Sequence, residues 1–367
     1  MAAPGAVLAL ALAAVGGPGG VPWRLPPPPR ALFTVAWHRT LEPHTLLEWM
    51  PVEIAGPAYD PASRTVLVAT RDGWLHALGA DGAIRWEYHA DAPFSSAATV
   101  VGDTVYASCA DGMLYALDLA DGAVRWRYES KEELGTQPVV AEGMVFVQSF
   151  EDTVFAVDAR TGAWRWHRRR ERPAGFTIRG TAPVAVADGV VYAGFSDGAV
   201  MAIEARSGAI RWQRQVAPAG RYLDVDALLV DGGRVYAAAY SGVVMALDAR
   251  QGSPIWQFMV PEPVRLAMAR GTLVGVTTSS VIGLSPLTGK VFWTSPLGGS
   301  PEGVPVPTGR YVLVPAGAGG LRFVDVAGGQ LAARLDRGGG VDAPPAIGAG
   351  AAYVMTNDGE LLAITRP

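Results

Sequence analysis

The sequence predicts an all-β fold: an eight-bladed β-propeller of four-stranded blades whose last blade is closed by an N-terminal strand. Three observations predict it. An eleven-residue phrase, Ala-x-Asp-x-x-x-Gly-x-x-x-Trp, recurs at intervals of about 40 residues. Short β-rich runs separated by turn residues lie between successive copies. A partial unit stands at each end of the repeated region, and the two together make one whole unit.

The phrase has seven copies, and six of them end in tryptophan. Three match it in full: ALDLADGAVRW (116–126), AVDARTGAWRW (156–166) and ALDARQGSPIW (246–256). Three variants end at Trp86, Trp212 and Trp293. The seventh copy, FVDVAGGQLAA, has Ala333 where the tryptophan is expected. A fixed repeat of this length marks a unit that buries its apolar face only by packing on its neighbours.

One repeat contains four strands. In the second unit, apolar runs occupy 98–101, 104–109, 113–118 and 123–128, and Gly and Asp residues separate them. Runs of four to six residues divided by such turn residues indicate three consecutive hairpins. Four antiparallel strands joined in this way form one propeller blade.

The two chain ends are predicted to share the eighth blade. The C-terminal segment 346–365 supplies three strands without a fourth, and LFTVAWHRTL (32–41) supplies a single strand containing Trp37. Pairing the N-terminal strand with the three C-terminal strands completes the last blade and closes the ring, so that no blade lacks its fourth strand. The predicted domains are therefore a signal-like apolar segment with a Pro-rich linker, residues 1–30, and the propeller, residues 31–367.

The repeated tryptophans are predicted to dock each blade on a neighbour. Each stands on an outermost strand, and an indole buries roughly 150–250 Å². Small residues near the Ala and Gly of the same phrase in the adjacent blade are the expected partners. The residues given this structural role are Trp37, Trp86, Trp126, Trp166, Trp212, Trp256 and Trp293.

Composition narrows the class of protein. The net charge is −4 and charged residues make up 17% of the chain, which does not favour a nucleic-acid partner. A single cysteine, Cys109, excludes an internal disulfide framework. Because Cys109 lies in a predicted strand, we expect it to be a small buried apolar residue.

The N-terminal segment has two interpretations. Residues 6–15 (AVLALALAAV) are apolar but too few to span a bilayer as a helix. No Lys or Arg precedes Arg24, so the charged start of a secretion signal is missing. The segment is either a degraded or mis-started signal or a disordered leader. The Pro-rich stretch 21–30 then leads into the first strand.

Catalytic and metal-binding patterns are not evident in the sequence. The five histidines are scattered, and no pair has the spacing of metal ligands. We therefore expect no catalytic site, no metal and no cofactor. The basic run RWHRRRER (165–172) fits either an anion site or a solvated loop, and the loop is the simpler interpretation.

The spacing of the tryptophans is irregular in the middle of the chain. Trp86, Trp126 and Trp166 lie 40 residues apart, whereas Trp166 to Trp212 is 46 residues and Trp212 to Trp256 is 44. Comparison of the units places both insertions in the connection from an outer strand to the next inner strand. Both connections then lie on one rim of the propeller, where loops on a rigid scaffold commonly carry function.

The repeat resembles the PQQ-type, quinoprotein-like eight-bladed propellers over about residues 32–365. Within that superfamily, FTIRG (176–180) and RYLDVDA followed by RVYAAAYSGVVMALD (234–248) are similar to two loops of the BamB family, a subunit of the outer-membrane β-barrel assembly machinery. In BamB proteins these loops bind a POTRA domain of BamA, the central barrel subunit. The resemblance implies partner contacts for Phe176, Ile178, Arg179, Arg221, Asp224 and Asp226.

One feature departs from that family. BamB proteins carry a lipidated cysteine just after the signal peptide, and here no cysteine precedes Cys109. A lipid anchor is therefore not supported by the sequence. The expectation is a monomer at the periplasmic face of the outer membrane that meets the membrane only through its partner. Either the chain is a soluble periplasmic relative or its start site is assigned wrongly.

Three functions remain open on the sequence. The first is a non-enzymatic scaffold in outer-membrane protein assembly, and the second is a generic extracytoplasmic propeller that binds another protein or a polysaccharide. The third is a PQQ-dependent dehydrogenase. Those enzymes place an adjacent pair of cysteines against the cofactor, and a chain with one cysteine cannot supply it.

Overall fold

The computed structural model describes residues 32–42, 55–94, 96–172, 182–217, 223–260, 264–298 and 303–366. These ranges contain thirty-two β-strands and no helix. The strands form eight four-stranded antiparallel sheets, and packing between neighbouring blades joins the sheets in a ring. The prediction of an all-β, eight-bladed propeller is confirmed. Among the described residues, no helix is long and apolar enough to cross a membrane.

Blades 1 to 4 follow the chain, each from its inner to its outer strand. Blade 1 contains β2 (Ala58–Asp60), β3 (Thr65–Ala69), β4 (Trp74–Gly79) and β5 (Ile84–His89). Blade 2 contains β6 (Thr99–Val101), β7 (Thr104–Ser108), β8 (Met113–Asp118) and β9 (Val124–Glu129). Blade 3 contains β10 (Val139–Ala141), β11 (Met144–Gln148), β12 (Thr153–Asp158) and β13 (Trp164–Arg169). Blade 4 contains β14 (Ala185–Ala187), β15 (Val190–Gly194), β16 (Ala199–Glu204) and β17 (Ile210–Gln215).

Blades 5 to 8 complete the ring. Blade 5 contains β18 (Val225–Asp231), β19 (Arg234–Ala239), β20 (Val243–Asp248) and β21 (Pro254–Met259). Blade 6 contains β22 (Arg265–Ala269), β23 (Thr272–Val276), β24 (Ser280–Leu284) and β25 (Val291–Pro296). Blade 7 contains β26 (Val306–Thr308), β27 (Tyr311–Pro315), β28 (Leu321–Asp325) and β29 (Leu331–Leu335). Blade 8 contains β30 (Ala346–Gly348), β31 (Ala351–Met355), β32 (Glu360–Thr365) and, from the start of the chain, β1 (Thr34–Thr40).

The strands of a blade differ in composition because they differ in burial. In blade 2, β7 is buried along its whole length and has the continuous sequence TVYAS. The outer strand β9, VRWRYE, alternates from its third residue between half-buried and exposed side chains, since one of its faces packs on a neighbouring blade. Gly122, in the turn before β9, has a φ of +75°, a backbone conformation that favours glycine.

The N-terminal strand closes the last blade, as the sequence predicts. Strand β1 pairs antiparallel with β32, and Trp37 lies opposite Ala363. The inner strand of blade 8, β30, contacts the inner strand of blade 1, β2. The ring is therefore closed by joining the two ends of the described chain within one sheet.

The repeated tryptophans dock the blades through one recurring contact. The Trp126 Nε1–H donates a hydrogen bond of 3.0 Å to the backbone carbonyl of Ala159 in blade 3. The same indole covers Gly162, where a Cβ would lie 2.6 Å from the ring. The phrase therefore requires both its Trp and its Gly. Equivalent hydrogen bonds join Trp37 to Ala80, Trp86 to Leu119, Trp166 to Ala205, Trp212 to Ala249, Trp256 to Pro286 and Trp293 to Val326.

In blade 7 a phenylalanine side chain takes the place of the missing tryptophan. In the other blades an Ala or Gly of the third strand lies opposite the Trp, whereas in blade 7 Phe323 lies opposite Ala333. The large and small residues have exchanged strands. Phe33, which precedes β1, stacks on Phe323 with ring centroids 4.8 Å apart. The two phenylalanines fill this interface because β32 and β1 are not consecutive, so no Gly turn of the phrase joins them.

This exchange predicts that a tryptophan cannot simply be restored. We expect Ala333→Trp to lower the free energy of unfolding by about 1–3 kcal/mol, because Phe323 already occupies the space that the indole needs. Urea denaturation measures the change. Leu331→Trp, on the exposed face of the same strand, is the matched control and should have little effect. Full stability of Ala333→Trp would show that the two positions do not compete for space.

Candidate partner-binding rim

The two rims of the propeller carry different segments. We call the connection rim the one formed by the turns between second and third strands and by the connections that lead to the next blade. The opposite rim, the motif rim, carries the turns between first and second strands and those between third and fourth strands. At blades 3 to 5 the described part of the connection rim comprises 149–152, 170–172, 182–184, 195–198, 216–217, 223–224, 240–242, 260 and 264.

The first insertion lengthens a connection, as predicted. From β13 to β14 the chain runs through 170–184, fifteen residues, whereas the connection 130–138 from β9 to β10 has nine. This difference of six residues accounts for the spacing of 46 between Trp166 and Trp212, against 40 elsewhere. The connection rim therefore carries one extended segment, between blades 3 and 4.

The second insertion lengthens a strand, and its prediction as a longer connection is wrong. The connection 216–224 has the ordinary nine residues, whereas β18 has seven residues where β10 has three. The register shifts between Val225 and Ala227, so Asp226 lies at a β-bulge. A bulge inserts an extra residue and re-aims the neighbouring side chains while the strand continues. The four added residues thus extend the inner strand of blade 5 toward the rim.

The six candidate contact residues fall into two groups. Phe176, Ile178, Arg179 and Arg221 lie outside the described residues. Asp224 and Asp226 lie at the start of β18, and the structure buries both, whereas the sequence placed them on an exposed connection. The bulge places Asp226 against blade 6. Their contact with a partner stays a prediction.

Asp226 bonds a residue that sequence reasoning missed. The Arg265 guanidinium of blade 6 pairs with the Asp226 carboxylate and donates a second hydrogen bond of 3.3 Å to the Asp226 backbone carbonyl. Burial raises the pKa of Asp226, and Arg265 opposes that rise by favouring the charged form. The only sign of this pair in the sequence is that Arg265, a charged residue, is the first residue of the otherwise apolar strand RLAMA. The pair ties the bulge of blade 5 to blade 6.

The basic run 165–172 is not a solvated loop, so that prediction is wrong. Residues 165–169 belong to the outer strand β13, because the phrase continues directly into this strand. Four of its five arginines pair with carboxylates. The pairs are Arg165 with Asp158 at 2.7 Å, Arg169 with Glu132 at 3.2 Å, Arg170 with Asp197 at 2.5 Å and Arg172 with Glu151 at 3.2 Å. Arg165 and Arg172 pair within blade 3, whereas Arg169 reaches the connection from blade 2 and Arg170 reaches blade 4.

Cys109 is a buried residue without features of a reactive thiol. Its side chain is fully buried, as predicted, and its Sγ lies 3.1 Å from the carbonyl oxygen of Ala92. Burial raises the pKa of the thiol to about 12, so it stays protonated at neutral pH. Within the described ranges, no three His, Cys, Asp or Glu side chains cluster as metal ligands do.

The fold defines the class of protein as an eight-bladed β-propeller, and solved structures share this fold. The crystal structure of BamB from Moraxella catarrhalis superposes with a TM-score of 0.75 at 23% identity, covering 91% of this chain and 98% of that one. The computationally designed protein Ika8 matches with a TM-score of 0.73, 16% identity and coverages of 89% and 98%. Quinohemoprotein alcohol dehydrogenase from Comamonas testosteroni matches with a TM-score of 0.72, 15% identity and coverages of 91% and 76%. At these identities the likeness establishes the fold alone.

The family follows from the sequence itself. The family model described as outer membrane protein assembly factor BamB matches residues 33–133, 98–295 and 277–366, which together cover all eight blades. The chain belongs to the BamB family. A comparison with curated protein sequences finds no match.

Proposed function

We propose that the protein is a non-enzymatic scaffold of the outer-membrane β-barrel assembly machinery that binds the POTRA region of a BamA-like partner. The observation that carries this proposal is the modified connection rim of blades 3 to 5, in a chain of the BamB family. Both insertions in the repeat lie on that rim: the fifteen-residue connection and the extended strand β18. At blades 3 to 5 the opposite rim keeps the repeated turns.

The geometry supports a docking surface on this rim. The fifteen-residue connection contains Phe176, Ile178 and Arg179, which supply apolar groups beside a cation. Aromatic residues and arginines are enriched at the centres of protein interfaces. Asp226 in blade 5 pairs with Arg265 in blade 6. This pair fixes the position of the β18 bulge before a partner binds, so this part of the rim is preorganised. A preorganised surface loses less conformational entropy when it binds.

The proposed location follows from the proposed partner. A protein that binds POTRA domains works at the periplasmic face of the outer membrane, and contact with the membrane then runs through the partner. The protein acts as a monomer in this proposal. A PQQ-dependent dehydrogenase, whose fold is shared, needs a vicinal cysteine pair that one buried cysteine cannot form.

Titration calorimetry with the purified POTRA region of the cognate BamA homologue tests the proposal. We expect measurable binding by the full chain and a loss of affinity of about tenfold or more for Arg179→Ala, since a charged group would be removed from the interface. Phe176→Ala should weaken binding through lost apolar contact. Arg206→Ala is the matched control, because Arg206 is exposed on the motif rim, where its pair with Glu142 at 3.1 Å contributes little.

The outcomes separate the competing functions. Wild-type protein that does not bind the POTRA region would refute the scaffold proposal and leave a propeller with another ligand. An absorbance scan that detects bound quinone would favour a dehydrogenase. Unchanged affinity in both Arg179→Ala and Phe176→Ala, with binding intact, would move the contact surface away from the fifteen-residue connection.

A further inference from the structure

Position 152 departs from the pattern of the repeat. The residue directly before the third strand is a glycine with positive φ in six blades: Gly73, Gly112, Gly198, Gly242, Gly320 and Gly359. In blade 3 this residue is Asp152, whose φ is +59°. Side chains at such backbone angles are strained, and glycine avoids the strain. Blade 3 therefore keeps a strained turn where the rest of the repeat does not.

Asp152 also differs from the other strained residues by its burial. Among the described residues, seven non-glycine residues have positive φ, and six of them are exposed on turns. Asp152 is fully buried. Burial raises the pKa of its carboxyl group, against the hydrogen bonds that lower it. A residue that combines strain with a buried acid requires a compensating interaction.

The compensating interaction crosses the boundary between blades 3 and 4. The Ser196 backbone N–H donates to the Asp152 Oδ1 at 3.1 Å, and the Ser196 hydroxyl donates to its Oδ2. Ser196 lies in the turn between β15 and β16, on the connection rim. The carboxylate thus fixes the rim turn of blade 4 from the strained turn of blade 3.

The same two turns hold the start of the fifteen-residue connection. The Arg170 N–H donates to the backbone carbonyl of Asp152 at 3.1 Å, and the Arg170 Nε–H donates to Asp197, next to Ser196, at 2.8 Å. Arg172 pairs with Glu151 at 3.2 Å. The start of the connection therefore lies between the blade 3 turn 149–152 and the blade 4 turn 195–198, which Asp152 links by its hydrogen bonds to Ser196.

The hydrogen bonds continue to blade 5. The carbonyl of Phe195, also beside Ser196, accepts a hydrogen bond of 3.1 Å from the Val225 N–H. Val225 lies between the candidate residues Asp224 and Asp226. A bonded path thus runs from Asp152 through the rim turn of blade 4 to the bulge of blade 5.

We propose that Asp152 is a positioning residue of the partner-binding rim. It holds the blade 4 turn in the position from which both the start of the connection, 170–172, and the bulge of β18 are bonded. The inference rests on the proposed function, because the partner is the POTRA region named above. Asp152 is buried, so it acts on the partner only through the residues that it places.

Replacing Asp152 by the residue of the other blades gives a direct test. We expect Asp152→Gly to keep its fold, with a melting temperature within a few degrees of wild type, because six blades use glycine at this position. Its affinity for the POTRA region should fall about tenfold in calorimetry. Asp152→Asn retains the acceptor and tolerates this backbone conformation, so it should restore most of the affinity.

The controls separate positioning from a general effect of the substitution. Asp188→Gly makes the same change at a residue of positive φ (+49°), but Asp188 is exposed on the motif rim of blade 4 and should leave affinity unchanged. Ser196→Ala removes the hydrogen bond from the Ser196 hydroxyl to the Asp152 carboxylate while leaving Asp152 itself unchanged. It should also weaken binding. If Asp152→Gly does not fold, Ser196→Ala and Asp152→Asn decide the question.

A second measurement needs no partner. In hydrogen exchange of the free protein, the Ser196 amide should lose protection in Asp152→Gly and regain it in Asp152→Asn. Wild-type affinity in both Asp152→Gly and Ser196→Ala would overturn the inference while leaving the scaffold function intact. Absence of POTRA binding by the wild type would instead refute the proposed function, and the role of Asp152 in recognition with it.

Discussion

Removal of residues 1–41 is expected to abolish soluble, cooperatively folded protein. The deletion takes away β1, the outer strand of blade 8, together with Trp37. The Trp37 Nε1–H donates to the carbonyl of Ala80 at 2.9 Å and so docks blade 8 on blade 1. Without β1, the apolar strand β32 becomes an open edge, which promotes aggregation. The yield in the soluble fraction and a urea unfolding curve measure the effect.

A shorter deletion provides the control. Removal of residues 1–30 keeps β1 and Phe33, so its unfolding curve should match that of the full chain. A normal, cooperative unfolding transition from the chain lacking 1–41 would contradict the closure of the ring by the N-terminal strand.

Trp166→Ala is expected to lower the free energy of unfolding by about 3–5 kcal/mol, the range for truncating a buried aromatic residue. The Trp166 side chain is 4% exposed and donates a hydrogen bond of 2.8 Å to the carbonyl of Ala205 in blade 4. Its removal leaves a cavity over Gly208, which the indole covers. Chemical denaturation with constant m-value measures the loss.

The chain contains a matched control two residues away. Trp164 lies on the same strand but faces outward and is 55% exposed. We expect Trp164→Ala to change the free energy of unfolding by less than about 0.5 kcal/mol. Equal losses for the two variants would show that the indoles of the phrase do not dock the blades.

The repeat made the fold predictable. Seven copies of one phrase predict seven blades. The partial units at the two ends predict an eighth blade that closes the ring, because separately each would leave an unpaired strand edge. The exchange at Phe323 and Ala333 was not foreseen, although both residues stand in the seventh copy. The sequence shows that the tryptophan is absent from the seventh copy. Only the strand pairing shows that an aromatic side chain, Phe323, stands on the third strand instead.

The candidate site was less predictable than the fold. Counting residues between tryptophans detects an insertion, but four extra residues fit either a longer loop or a longer strand. The structure places them in β18 with a bulge at Asp226. The pair of Asp226 with Arg265 joins residues 39 apart in sequence, and no local pattern specifies such a contact.

Asp152 illustrates what a repeat does and does not reveal. The aligned turns show glycine at its position in six blades, so the departure is visible in the sequence. The role of Asp152 is not visible in the sequence, because a buried Asp and an exposed Asp on a turn look the same there. Burial and the bond to Ser196 across the blade boundary distinguish the two cases.

Hydrogen exchange of the full chain with and without the cognate POTRA region tests the central claim most directly. We expect protection on binding in peptides of the connection rim, covering 149–152, 195–198 and 223–226. Peptides of the motif rim, covering 159–163 and 205–208, should not change. Protection confined to the motif rim, or no protection on the connection rim at saturating partner, would contradict the assignment of this rim as the binding surface.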